Sequence, residues 1–268
     1  MLHGARRVRG SFSVLGHRPL TVEITGSNPL QCTNIPVLSK CAFEWILHNK
    51  LMATMYRRPQ FREDRPDVLV AAMRQLRFCT LVSFTGKQLL ATHLPILVNQ
   101  NGAAITLEMH VARANTQWKE VDLAVDALAI FTGPNSYVSP TWYPSKEEHQ
   151  RVVPTWNYIS VQASGALSIH DDVELVLRHV RKLTDHNETG RNTPWTIDDA
   201  PADFIQTQCR AIVGLSLEVR QLEGSWKMAQ HRSEADRLGV MEGLMSENKR
   251  TAAEVADEMK SLENQPII

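Results

Sequence analysis

Several kinds of chemistry leave fingerprints that this chain does not carry. It has no Gly-x-Gly-x-x-Gly after an apolar run, no phosphate-binding P-loop, no His-Glu-x-x-His and no Gly-x-Ser-x-Gly. Nucleoside triphosphate hydrolysis, zinc proteolysis and ordinary serine hydrolysis therefore find no support. Cysteine is scarce and scattered: Cys32, Cys41, Cys79 and Cys209 form no Cys-x-x-Cys pair and match no zinc-finger spacing. That usage suits a reduced, cytoplasmic chain. No apolar run approaches the roughly 20 residues of a membrane-spanning helix, and the N-terminal stretch lacks the apolar core of a secretory signal. Charge of one sign is missing too, with 29 Lys and Arg against 29 Asp and Glu. No global field draws the protein onto nucleic acid or an anionic membrane, which counts against a strongly DNA-bound protein.

What is present is a working-looking loop. Gly133 to Lys146, followed by Val152 to Tyr158, packs Pro, Trp, Tyr and Asn between two strand-like runs. An ordinary connection is shorter and built from small polar residues. Trp142, Tyr143, Trp156 and Tyr158 carry large apolar bodies with polar tips, so the loop either covers a core or lines a pocket.

Around it the 268-residue chain divides three ways. Residues 1–54 hold six Lys and Arg against only Glu23 and Glu44, with Gly, Ser and Pro interrupting every apolar run. They read as a disordered tail, as a transit-peptide-like segment, or as sequence upstream of a true start at Met52 or Met55. Residues 55–245 form the folded domain, and 246–268 a C-terminal helical tail. Asp64 is expected to cap a helix with the stripe Val68, Leu69, Ala72, Met73 and Leu76. Strands follow at 79–84, 88–93, 96–98, 104–111, 127–131, 152–169 and 213–220, with helices expected after Asn115, after Asp171 or Asp172, at 202–209 and over 233–262. Most strands succeed one another without intervening helices. The fold class is therefore mainly β with peripheral helices, an antiparallel barrel.

One stretch has the makings of an anion site. A strand end feeding a helix start gathers His110, Arg113, Asn115 and Lys119 near free backbone N–H groups, an environment that favours phosphate. The plainer alternative is a solvated Arg and Lys with Asn115 acting only as a cap. His93 and His149 stand alone, and such residues are more often structural. Trp226 to Arg232 reads as a polar cap on the terminal helix.

Taken together, Thr92 to Pro95, His110 to Asn115, Gly133-Pro134 with Tyr137 and Ser139-Pro140, Trp142-Tyr143, Val153 to Tyr158 and Trp226-Lys227 resemble the PaiB family, over about Met55 to Leu244. That family is described as FMN-binding negative transcriptional regulators. The resemblance implies a split β-barrel like that of pyridoxamine phosphate oxidases, and a homodimer holding one flavin at each end of its interface. It implies FMN as cofactor, with His110, Arg113 and Lys119 near the flavin phosphate. Trp142 or Trp156 would cover the ring, and Asn115, Ser139, Thr155 and Asn157 would meet its polar edges. Two functions follow: a regulator of transcription, direct or indirect, or a flavin-dependent oxidoreductase acting on a small molecule. Haem held by His93 or His110 is a third, more distant reading. The loop itself suits either a flavin-covering flap or an interface clasp.

Overall fold

The computed structural model describes residues 55–263; the readings offered for 1–54, and for the tail beyond 263, lie outside the described residues. In chain order the elements are a short 3₁₀ turn at Pro59–Phe61, β1 (Arg62–Glu63), α1 (Pro66–Leu76), β2 (Phe78–Phe84), β3 (Leu89–Pro95), β4 (Leu97–Asn101), β5 (Ala104–Ala112) and α2 (Gln117–Glu120). Then come β6 (Ala127–Val138), a turn at Pro140–Trp142, α3 (Ser145–His149), β7 (Thr155–His170), α4 (Val173–Glu188), a turn at Ile197–Asp199, α5 (Ala202–Arg210), β8 (Ile212–Lys227), α6 (Glu234–Ser246) and α7 (Arg250–Glu263). The strands form one sheet in the order β3-β2-β6-β7-β8-β5-β4, with β1 beside β8. Every pairing is antiparallel, as the succession of strands in the sequence implies.

Alternation decides what faces inward. In β5, Ile105, Leu107, Met109 and Val111 are buried while Thr106, Glu108 and His110 point the other way. Leu81, Leu107, Phe131, Val161 and Leu217 come from five different strands yet share one core. The sheet must therefore curl around it. Its edges β3 and β4 pair with no further strand among the described residues, and β3 lies against β5 instead. The result is a split barrel.

Two irregularities bend the long strands. The β6–β7 register shifts between Thr132 and Asn135, where Pro134 has no N–H to give the ladder. The β7–β8 register shifts between Ser164 and Gly165. A side chain at Gly165 would sit 1.8 Å from the Glu218 carbonyl oxygen, so only glycine lets the two backbones come this close.

Helix starts differ in detail from expectation. Arg65, not Asp64, holds the position before α1, and the Glu63 carboxylate accepts from the Arg65 backbone N–H at 2.9 Å. Pro66, with its fixed φ and no N–H to satisfy, sets the first turn. Asp172 caps α4 by accepting from Leu175 N–H at 2.8 Å, and Ser233 caps α6. The expected single helix over 233–262 is two, α6 and α7, because Asn248 turns the chain at φ 50°. Within the stretch read as a tail, Ala252, Val255, Ala256 and Met259 of α7 join the same core as the barrel strands. Among the described residues no helix is long and apolar enough to cross a membrane.

Candidate functional site

Three segments meet at one end of the barrel. The first residues of β7 lie beside the last of β8, with Tyr158 opposite Lys227. Beyond β8 the chain turns sharply, Ala229 adopting φ 62°. Gln230 holds that turn, its Oε1 accepting from Met228 N–H and its Nε2 donating to the Trp226 carbonyl. His231 and Arg232 are thereby folded back toward β7. The aromatic loop supplies Tyr143 from the third side. Together they enclose a cavity of about 420 Å³ whose walls include Arg58, Tyr143, Thr155, Asn157, Lys227 and Arg232.

The cavity is positive and has no carboxylate in its lining. Lys227 Nζ donates to Thr155 Oγ1 at 2.5 Å and to the Trp156 carbonyl at 2.7 Å. Burial lowers the Lys227 pKa, and Arg58 lowers it further. His231 is lowered by burial and then by Arg232, Arg58 and Lys227. Both shifts begin in burial and are deepened by neighbouring cations; Arg57 in the same wall is paired with Asp64 and Glu223, and an anion would relieve the others. The Arg232 guanidinium lies 4.8 Å over the Tyr143 ring, while its Nε is buried with no hydrogen-bond partner. Burial also raises the Tyr143 hydroxyl pKa. Asn157 is 1% exposed and its Nδ2 reaches only Met259 Sδ, at 3.5 Å.

The residues singled out in the sequence fall into two groups. Thr155 and Asn157 line the cavity. The others from the loop do something different: Ser139 accepts from Thr141 N–H and starts the turn at Pro140–Trp142. Trp142 packs on α6 so closely that a side chain at Gly243 would lie 2.3 Å from its ring. Trp156 is half exposed, donating to Asn135 Oδ1 at 3.3 Å and meeting Tyr137 edge-on. The loop is thus anchored: Ser145 donates from both N–H and Oγ to the buried Asp236 of α6.

His110, Arg113, Asn115 and Lys119 lie elsewhere. His110 Nδ1 is 3.0 Å from His179 Nε2 beneath α4. Arg113 makes a two-pronged pair with Asp171 at 2.5 and 3.0 Å and donates to the carbonyls of Arg210 and Ile212. Asn115 accepts from Gln117 N–H and donates to Thr92 Oγ1, and Lys119 Nζ sits 5.0 Å over the Trp118 ring. Arg113 meets Ile212, the first residue of β8, while the cavity is built on Lys227, the last. Fifteen residue steps of about 3.3 Å make roughly 50 Å of strand contour between the groups. None of the four lines the cavity.

Tyr143, Lys227, His231, Arg232 and Arg58 were not among the residues singled out for the site. A signal existed for three of them: Lys227, His231 and Arg232 follow an alternating strand with no acidic residue between them. Arg58 is remote in sequence, and only the pairing of β1 with the end of β8 brings its segment near.

A family profile described as "Putative FMN-binding domain" matches residues 55–221. The chain is 29% identical over 206 residues, 77% of its length and 97% of the relative's, to the protease synthase and sporulation protein PAI 2 of Bacillus subtilis. It is 34% identical over 166 residues to an uncharacterized protein of Aspergillus fumigatus, covering 55% of this chain and 64%, just under two thirds, of that one. Among solved structures, the flavocytochrome Anf3 from Azotobacter vinelandii is similar with a TM-score of 0.45 and 14% identity, over 66% of this chain and 75% of that one, too distant to carry an argument. With the profile covering more than half of the chain and the Bacillus relative aligned almost end to end, the protein belongs to the PaiB family of FMN-binding domains.

Proposed function

We propose that the 420 Å³ cavity is where this chain holds FMN, and that the strand-end group completes the site from a second copy of the chain. The observation that carries the reading is the crowd of uncompensated cations beside aromatic walls. Lys227, His231 and Arg232 suit a phosphate dianion, and the buried, unpartnered Arg232 Nε is a donor awaiting an acceptor. Tyr143 and Tyr158 offer flat faces to a ring, while Thr155 and Asn157 offer polar groups to its edges; the volume lies within the usual range for ligand pockets, about 300–1,000 Å³. The homodimer implied by the family would juxtapose Arg113, Asn115 and Lys119, with His110 behind them, and the partner's cavity. Ser139, Trp142 and Trp156 then act at its margin, as support or interface.

Bound FMN supplies hydride and electron transfer. This chain's residues would bind, orient and shield it. A redox role therefore needs no catalytic dyad of the protein's own. The regulatory role named for the family has no basic reading helix to act through among the described residues, and the net charge is zero. We therefore read regulation as indirect, with a flavin-dependent oxidoreductase as the alternative.

The absorption spectrum of purified protein with added FMN tests the binding. A bound, shifted flavin spectrum is expected, with affinity falling about tenfold or more in Lys227→Ala and Arg232→Ala, as loss of a charge-assisted bond requires. An unchanged spectrum and unchanged tryptophan fluorescence would reject it. Sedimentation then asks whether the protein is dimeric, and a mixed dimer of Arg232→Ala with Arg113→Ala should keep one intact site of two. Anaerobic NADH or NADPH separates the two roles: bleaching favours the oxidoreductase, and a salt-resistant, sequence-dependent complex with promoter DNA would instead favour direct regulation.

A further inference from the structure

Beneath α4 the sheet presents a face unlike most helix-covered faces. Leu175, Arg178, His179 and Lys182, at helical spacing, lie on one side of α4 and share a cavity with Glu108 of β5, His170 of β7 and Ser216 of β8. A sheet face under a helix is ordinarily apolar, because a buried polar group left unpaired loses its hydrogen bonds to water with nothing in return. Here His179 is 7% exposed, and its Nδ1 is buried with no hydrogen-bond partner. The nearest charged group is the Glu108 carboxylate, 3.8 Å away. His170 Nε2 meets Ser216 Oγ at 2.7 Å. The cavity measures about 260 Å³, with Met109, Leu175, Val176 and Leu215 as apolar walls. Arg178 and Lys182 stand at it without an ion pair among the described residues.

We propose that this cavity is a second ligand site, distinct from the flavin cavity, for a small carboxylic acid that carries a hydroxyl or ammonium group and a short apolar tail. Lys182 and Arg178 take the carboxylate. The donor sits between Glu108 and His179. Burial holds His110 neutral, with a pKa lowered to about 4, so its Nδ1 can accept from His179 Nε2–H. With the shared proton on Nε2, His179 Nδ1 is a lone pair facing the Glu108 carboxylate. Two acceptors 3.8 Å apart are bridged by an ammonium giving one N–H to each, or by a hydroxyl whose single O–H they share. The apolar walls receive the tail.

Calorimetry on the full-length, flavin-loaded protein distinguishes the parts. L-leucine and 2-hydroxy-4-methylpentanoate are the probes; 4-methylpentanoate lacks the donor and leucinamide lacks the carboxylate. One or both probes should bind at least about tenfold more tightly than either control, and which of them binds identifies the donor. Glu108→Gln should erase the advantage over 4-methylpentanoate, and Lys182→Met the advantage over leucinamide. Both positions are partly exposed, and unchanged melting and flavin spectra verify that the variants are folded. No heat from either probe up to about 10 mM, or affinities indifferent to both substitutions, would overturn the proposal. Flavin retention in the same samples shows that such a failure leaves the FMN site untouched.

Discussion

His110 meets a different neighbour from the anion that its sequence context suggests. Its place at the end of β5 invites a phosphate, yet strand alternation turns it outward into the packing beneath α4, against His179. Burial, with His179 adding, depresses its pKa to about 4, against about 6.5 in an unfolded chain. Between those values the unfolded state binds the extra proton. The contribution to stability is therefore complete above about pH 6.5 and is lost as pH falls toward 4, at up to roughly 1.4 kcal/mol per pH unit. Denaturant midpoints at pH 7, 6 and 5 should fall accordingly, and the fall should flatten in His110→Asn. An equal slope in that variant would assign the acid sensitivity to other groups.

At the scale of elements, the strands were legible because burial imposes a period of two. Ile105 to Val111 and Val213 to Val219 carry it plainly. The continuation of β8 to Lys227 was not, since Glu223, Gly224 and Ser225 are all buried and break the apolar rhythm: Arg57 neutralises Glu223 at 2.7 Å, a partner 166 residues away. The break between α6 and α7 was hidden for another reason. Asn248 adopts a left-handed conformation that no neighbouring glycine or proline announces. Gly165 is the element-scale test. Its added methyl would press on the Glu218 carbonyl, so Gly165→Ala should cost about 1–3 kcal/mol and loosen amide protection on both β7 and β8. A variant that melts like the parent would mean that the register shift has slack.

For the molecule as a whole, the antiparallel barrel and the family were readable from local pattern and unusual blocks of residues. The assembly of the sites was not. Cations remote in sequence converge at Lys227 only through the pairing of β7, β8 and β1, and a strand some 50 Å in contour separates them from Arg113. Sequence proximity to a motif says little about which end of the barrel a residue occupies.

The anchoring of the aromatic loop has a consequence for protease attack. A segment rich in Pro, Ser and Asn with an accessible Lys146 looks open to trypsin. Asp236 nevertheless grips Ser145, and Trp142 is wedged against α6, so cleavage at Lys146 requires both to let go. The exposed turn around Arg191 is held locally instead, Glu188 pairing with Arg191 at 3.2 Å and accepting from the Trp195 N–H at 3.1 Å. Brief tryptic digestion should therefore nick the chain at Arg191 well before Lys146, and the order should reverse when Asp236→Ala releases the loop.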